Sequence, residues 1–154
     1  MRNVVTGLIA TCLFGVPVLA APPQNVELFT TATWSQLQAD LPKPSAVVFT
    51  ATYCATCPAV LAKLSKALAA HDVEGDVIAV VIDEAEPSEL IASGHYSQAS
   101  RVFLFAGNEA ALRYQIDPRW RGETPYIALL PAGGKPIFAA GSPSEEKIAS
   151  WLGR

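Results

Sequence analysis

The run Ala46-Val47-Val48-Phe49-Thr50 is small, β-branched and aromatic, with no polar alternation. Such a run predicts a strand covered on both faces. Shortly after it comes Cys54-Ala55-Thr56-Cys57-Pro58, and from Ala59 to Ala70 the residues Val60, Leu61, Leu64 and Leu68 repeat at helical spacing, with Lys63 and Lys66 on the other side. A strand that turns through two cysteines into an amphipathic helix constrains the fold more than any other feature of the chain. It requires a sheet with neighbours on both sides and helices packed on its faces, an α/β architecture.

The rest of the sequence supplies those neighbours. Val26–Phe29 predicts a short first strand. Thr33 is placed to cap a helix to Leu41, with Trp34, Leu37 and Leu41 on one face. Val77–Ile82 predicts a second central strand and Pro87–Ser93 a short helix. Val102–Phe105 reads as a further strand, and Asn108 as the cap of a helix through Leu112 to Ile116. Tyr126–Leu130 and Pro136–Ala140 flank a Gly-Gly turn and predict a hairpin. Ser142 with Glu145 fits a capping box with Pro143 at the first helical position, and Ile148, Trp151 and Leu152 form the inner face of that last helix. The order is β-α-β-α-β, an inserted βα-like stretch, then β-β-α.

The first twenty residues read differently. Arg2 is followed by a charge-free stretch from Val4 to Ala20, and Val18-Leu19-Ala20 suits cleavage after Ala20. This predicts a signal peptide over residues 1–20 and a single domain over 21–154. An uncleaved N-terminal membrane anchor is the alternative; Gly7, Gly15 and Pro17 make a poor spanning helix. A lipidated Cys12 fits less well, because Thr11 precedes it and the apolar run continues past it. Cleavage removes Cys12, so the odd count of 3 cysteines becomes a pair in an exported, oxidising setting. The formal net charge of −3 across 154 residues leaves no electrostatic footprint for nucleic acid.

Cys54 and Cys57 carry the chemistry. The residue between a buried strand and a helix faces unsatisfied amides and the positive end of the helix dipole, which favour a thiolate at Cys54. Two intervening residues bring the second sulfur within reach of the first. Cys54 can attack a disulfide and Cys57 can resolve the mixed disulfide. Ala55 and Thr56 add no cation to that thiolate. A zinc half-site would need two further ligands, and only His71 and His95 are on offer. A structural disulfide would close a tiny loop for little stabilisation.

With these residues the chain resembles thioredoxin-fold thiol–disulfide oxidoreductases over about Val26 to Leu152. A second feature carries the resemblance: Gly122-Glu123-Thr124-Pro125-Tyr126 precedes a strand and a Gly-Gly hairpin. In that family a cis-proline occupies this place opposite the cysteines. The resemblance therefore implies a cis Pro125, with Thr124 pairing with the substrate backbone. The long Cys54-to-Pro125 interval, with excess over Asp83–Gln115, resembles the inserted element of TlpA-like exported thioredoxins, as does Asp117-Pro118-Arg119-Trp120-Arg121-Gly122. The implied fold is a central mixed sheet flanked by helices, with a βα-like element inserted between the CxxC helix and the cis-Pro loop. The implied activity is periplasmic disulfide reduction through Cys54 and Cys57. It needs no cofactor or metal and draws electrons from a membrane-embedded thiol donor. The clients are disulfide-containing or dithiol proteins, and the expected state is a monomer.

The sequence also departs from the family. Tyr53 stands where many relatives have Trp. Val48 stands where many have an acid that moves a proton from the resolving thiol. Glu84 and Glu86 could supply a carboxylate from the loop after a central strand, though a solvated loop is the simpler reading. Trp120 and Tyr126 flank Pro125, so partial exposure there would add Trp120 to a peptide surface with Tyr53. Trp34 and Trp151 read as core, and Arg119 and Arg121 as a solvated pair. Two alternatives remain open at this point: a disulfide-donating oxidase, and a copper-delivery or assembly module that could use His95.

Overall fold

The computed structural model describes residues 25–39 and 43–154. The segment 1–24, with the expected signal peptide, anchor and Cys12, lies outside them, as does Leu41. The elements are β1 (Val26–Phe29), α1 (Thr31–Ala39), β2 (Ser45–Thr50), α2 (Cys57–Ala70), β3 (Asp76–Val81), α3 (Pro87–Ala92), β4 (Arg101–Phe105), α4 (Glu109–Ile116), β5 (Tyr126–Leu130), β6 (Ile137–Ala140) and α5 (Glu145–Trp151).

The six strands form one mixed sheet in the order β1-β4-β3-β2-β5-β6. Strands β1, β4, β3 and β2 run parallel to one another, and β5 is antiparallel to both β2 and β6. The inserted stretch is α3-β4-α4, and β4 slots between β3 and β1, parallel to both. Every residue of β2 is buried, as its unalternating sequence requires of a strand with neighbours on each edge and a helical layer on each face.

Successive residues of β2 point to opposite layers. Ala46 and Val48 pack with Leu61, Leu64 and Leu68 of α2 and with Ile148 and Trp151 of α5. Val47 and Phe49 face Trp34 of α1, Leu112 and Ile116 of α4, and Trp120. Trp34 and Trp151 are both core residues, and Trp151 Nε1 donates to the Ser45 carbonyl at 3.1 Å. Lys63, on the outer side of α2, reaches Glu145 and the Pro143 carbonyl, both at 2.8 Å, and so clips α2 to the start of α5.

Three helix starts differ from the sequence expectation. Helix α1 begins three residues earlier: Thr30 and Thr33 exchange hydrogen bonds, each backbone N–H donating to the other's Oγ1 at 3.2 Å. Thr30 is the cap and Thr33 its reciprocal partner within the first turn. Helix α5 begins later: Ser144, not Ser142, caps it by accepting the Lys147 amide at 3.3 Å. Helix α2 begins at Cys57, so Cys54 lies in the turns before the helix rather than at its first position. Asn108 caps α4 as expected, its Oδ1 accepting from Ala111 at 2.9 Å.

Candidate active site around the cysteine pair

Beyond Thr50 the chain leaves the sheet and folds back on itself. The Cys54 amide donates to the Ala51 carbonyl at 3.0 Å, and the Cys57 amide to the Cys54 carbonyl at 3.3 Å. These two turns bring the sulfurs together: Cys54 and Cys57 form a disulfide with their Cα atoms 5.5 Å apart. Thr56 stands at the N-cap position of α2 in helical conformation, without a side-chain capping bond, and Pro58 occupies the first turn, where a missing N–H costs little. Both cysteines are buried, Cys57 at 1% exposure and Cys54 at 7%, so Cys54 is the less enclosed residue of the two. Ala51 and Ile82 pack against the pair.

The partner loop arrives from the antiparallel neighbour. Phe49 pairs with Tyr126 across β2 and β5, so the residues just before Tyr126 stand at the same end of the sheet as the turn after Thr50. The Thr124–Pro125 peptide is cis, as the resemblance implied. Pro125 is buried and its carbonyl accepts from Gly141 at 2.8 Å. Thr124 is partly exposed, and its backbone has no backbone partner among the described residues.

A network centred on the buried Asp117 carboxylate holds this loop. Asp117 is 3% exposed and accepts from the Arg119 amide at 2.9 Å, the Arg119 guanidinium at 3.0 and 2.9 Å, and the Tyr126 hydroxyl at 2.7 Å. The guanidinium above all, then the phenol, hold its carboxyl at about 2, well below the ordinary 3.8. Burial and the adjacent carboxylate push the Tyr126 phenol upward.

Trp120 was expected to be partly exposed, and it is not. It is 4% exposed, stacks on Tyr126 with centroids 5.0 Å apart, meets Phe49 at 4.8 Å, and donates through Nε1 to the Glu123 carbonyl at 2.9 Å. It is the floor of the Pro125 loop rather than part of its surface. Tyr126 is likewise buried, whereas Tyr53, next to Cys54, is 77% exposed.

Val48, in the place where the resemblance implied an acid in many members, is fully buried among apolar side chains. Glu84 and Glu86 line an open cleft of 670 Å³ with Asp83, Glu89 and Glu109. The carboxylate that reaches the cysteine turn is Asp83, which the sequence reading passed over. It accepts from the Thr52 amide at 2.9 and 3.2 Å and from the Thr52 hydroxyl. Its signal in the sequence was only its place as the first of three acids directly after a central strand. His95 is exposed, and His71 lies at the far end of α2. Among the described residues, no three His, Cys, Asp or Glu side chains come together as a metal-holding group.

A parallel core strand ending in a CxxC disulfide, beside an antiparallel strand that opens on a cis-proline, decides the fold. The chain has a thioredoxin fold. Neither a family model nor a curated protein sequence matches it. Solved structures do. A secreted Mycobacterium tuberculosis disulfide oxidoreductase, described as homologous to Escherichia coli DsbE, superposes at TM-score 0.53 with 14% identity, covering 84% of this chain and 93% of its own. A thioredoxin-like protein in the oxidised form gives TM-score 0.55 and 17% identity over 87% of this chain and 96% of its own. The thioredoxin domain of a Bacteroides vulgatus thiol-disulfide oxidoreductase gives 0.53 and 15% over 85% and 93%. At these identities the likeness is one of fold. The thioredoxin-fold reading of the sequence holds, with a mixed central sheet and the inserted βα element.

Proposed function

We propose that the chain is an exported thiol–disulfide oxidoreductase that works as a periplasmic disulfide reductase. The observation that carries this reading is the Cys54–Cys57 disulfide placed at the same end of the sheet as the cis Thr124–Pro125 loop. In the reduced protein the Cys54 thiolate attacks a client disulfide, forming a mixed disulfide and releasing one client thiolate. The Cys57 thiolate then attacks Cys54 Sγ, closes the intramolecular disulfide and releases the second client thiol. Two electrons pass to the client and two protons are taken up by its sulfurs.

The assigned roles follow exposure. Cys54, the less buried residue, is the nucleophile, and Cys57 resolves. Thr124 offers its free backbone to an extended client segment, Pro125 shapes the floor, and Tyr53 supplies an exposed aromatic contact. Trp120 acts beneath the loop. The clients are disulfide-containing or dithiol proteins, and a membrane-embedded thiol donor returns the enzyme to its reduced form. Export rests on the signal-like residues 1–20, with 21–154 as the working domain.

Reduction rather than oxidation is favoured because Ala55 and Thr56 bring no cation to the Cys54 thiolate, while Asp83 brings a carboxylate to the same turn. Both features weaken the thiolate and hence the reduced form's stability, the opposite of what a strong oxidant needs. The test is the reduction potential of the Cys54–Cys57 pair by equilibration with glutathione or dithiothreitol. The reductase reading expects a value near about −270 mV; one near about −120 mV would make the protein an oxidant.

A further inference from the structure

We propose that Asp83 is the positioning residue of the cysteine turn: it holds Thr52, and through Thr52 the attacking sulfur of Cys54, and its charge opposes thiolate formation there. This rests on the reading that Cys54 is the nucleophile.

The geometry follows from where the β2–β3 ladder stops. Thr50 is in register with Val81, and the Thr50 carbonyl accepts from the Ile82 amide at 2.9 Å. In a continuing parallel ladder the Thr52 amide would next donate to the Ile82 carbonyl. It does not, because the chain turns away at Ala51. The Asp83 side chain takes that amide instead, at 2.9 Å through Oδ1, and takes the Thr52 hydroxyl through Oδ2. One carboxylate therefore ties the end of β3 to the residue two positions before Cys54, and the turn is closed on its other side by the Cys54 amide on Ala51.

A tie of this kind removes freedom from a loop whose sulfur must attack in line. Consecutive Cα atoms are about 3.8 Å apart, so Thr52 places the carboxylate's anchor within about 8 Å of Cys54, inside one Debye length at physiological salt. A negative charge at that range raises the free energy of the thiolate without touching the neutral thiol or the disulfide. The other titratable groups facing Asp83 come from the segments around it: Glu84 and Glu86 beside it, Glu89 of α3, Glu109 of α4, and Tyr96 with His95 across Thr52. Burial and the nearby Asp83 carboxylate raise the Tyr96 phenol, so it remains a neutral neighbour.

The experiment compares wild type, Asp83→Ala and Asp83→Asn in the full mature chain. Three quantities are read: the rate of insulin disulfide reduction, the midpoint pH of Cys54 alkylation by iodoacetamide in the reduced protein, and the disulfide equilibrium against glutathione. Asn keeps an oxygen for the Thr52 amide and loses only the charge. Asp83→Ala is expected to slow exchange about tenfold, and Asp83→Asn to restore it to within about threefold of wild type. Both variants are expected to move the alkylation midpoint to lower pH. Both should also stabilise the dithiol about tenfold, which is about 30 mV toward the oxidant side. Wild-type rates, midpoints and equilibria in a folded Asp83→Ala would overturn the proposal. Should Asp83→Ala fail to fold, an Asp83→Asn variant with an unmoved midpoint and equilibrium would overturn it equally. A wild-type protein with no exchange at all would instead remove the reading on which the proposal rests.

Discussion

The Tyr126 hydroxyl donates to Asp117 Oδ2 at 2.7 Å, beneath the loop that carries the cis Thr124–Pro125 bond. Tyr126 opens β5 and Asp117 closes α4, so this one bond joins the last element of the insert to the strand beside the CxxC turn. The loop between them is thus held at its two ends by the same carboxylate and at its middle by Trp120 stacked on the same tyrosine.

The network titrates in a defined window. The Asp117 carboxyl sits at about 2 in the fold against an ordinary 3.8, so its folded value is depressed. Its contribution to stability is complete above the ordinary value and is lost as pH falls through the folded one. The Arg119 partner is largely exposed, so solvent and salt screen part of the interaction and the contribution is smaller than the depressed value alone implies. Thermal unfolding measured between about pH 4 and pH 2 should show a steeper loss of Tm for wild type than for Asp117→Asn.

Removing the phenol alone isolates the other half of the network. Tyr126→Phe keeps the stack on Trp120 and leaves Asp117 one donor short. It should cost about 1–2 kcal/mol in urea unfolding, with the m-value unchanged. A cost near zero would mean that the bond carries no stability.

Trp120 and Tyr53 make a contrasting pair. Trp120→Ala empties a site that is 4% exposed and should cost about 3–5 kcal/mol. Tyr53→Ala removes a side chain that is 77% exposed and should change stability by no more than about 0.5 kcal/mol. Its effect should appear in client binding, as a raised KM for a disulfide peptide. A Trp120→Phe variant that stays folded and retains wild-type KM would confirm that Trp120 acts from below.

Gly122 approaches the Pro125 loop with φ +97°, and a Cβ there would strike the Arg113 guanidinium, which donates to the Arg121 carbonyl at 3.3 Å. Gly122→Ala combines backbone strain with displacement of that side chain. It should lower stability by about 1–2 kcal/mol and slow exchange, whereas Gly133→Ala, in the open β5–β6 turn, carries the strain without the clash.

Much of this structure was legible in the sequence because local rules and tertiary placement agree. Val26–Phe29 and Tyr126–Leu130 match β1 and β5 to the residue, and the Val60-Leu61-Leu64-Leu68 stripe is the buried face of α2. The misplaced starts of α1 and α5 lie where two hydroxyl residues a few positions apart compete for the cap, Thr30 with Thr33 and Ser142 with Ser144. The burial of Trp120 depends on Phe49, far away in sequence, and on Tyr126. The Asp83–Thr52 tie spans 31 positions and exists only because β2 and β3 are neighbours in register. Local pattern marks Glu84 and Glu86 as readily as Asp83, and only the register selects between them.

The central claim is that Cys54 attacks and Cys57 resolves, and trapping tests it most directly. A reduced Cys57→Ser variant is incubated with a peptide containing one disulfide, and products are read by mass spectrometry without reductant. The account predicts a stable adduct joined through Cys54 Sγ. It predicts no accumulating adduct for wild type, where Cys57 closes the ring, and none for Cys54→Ser beyond the slow reaction of the buried Cys57. An adduct that forms as fast on Cys57 in Cys54→Ser as on Cys54 in Cys57→Ser would contradict it.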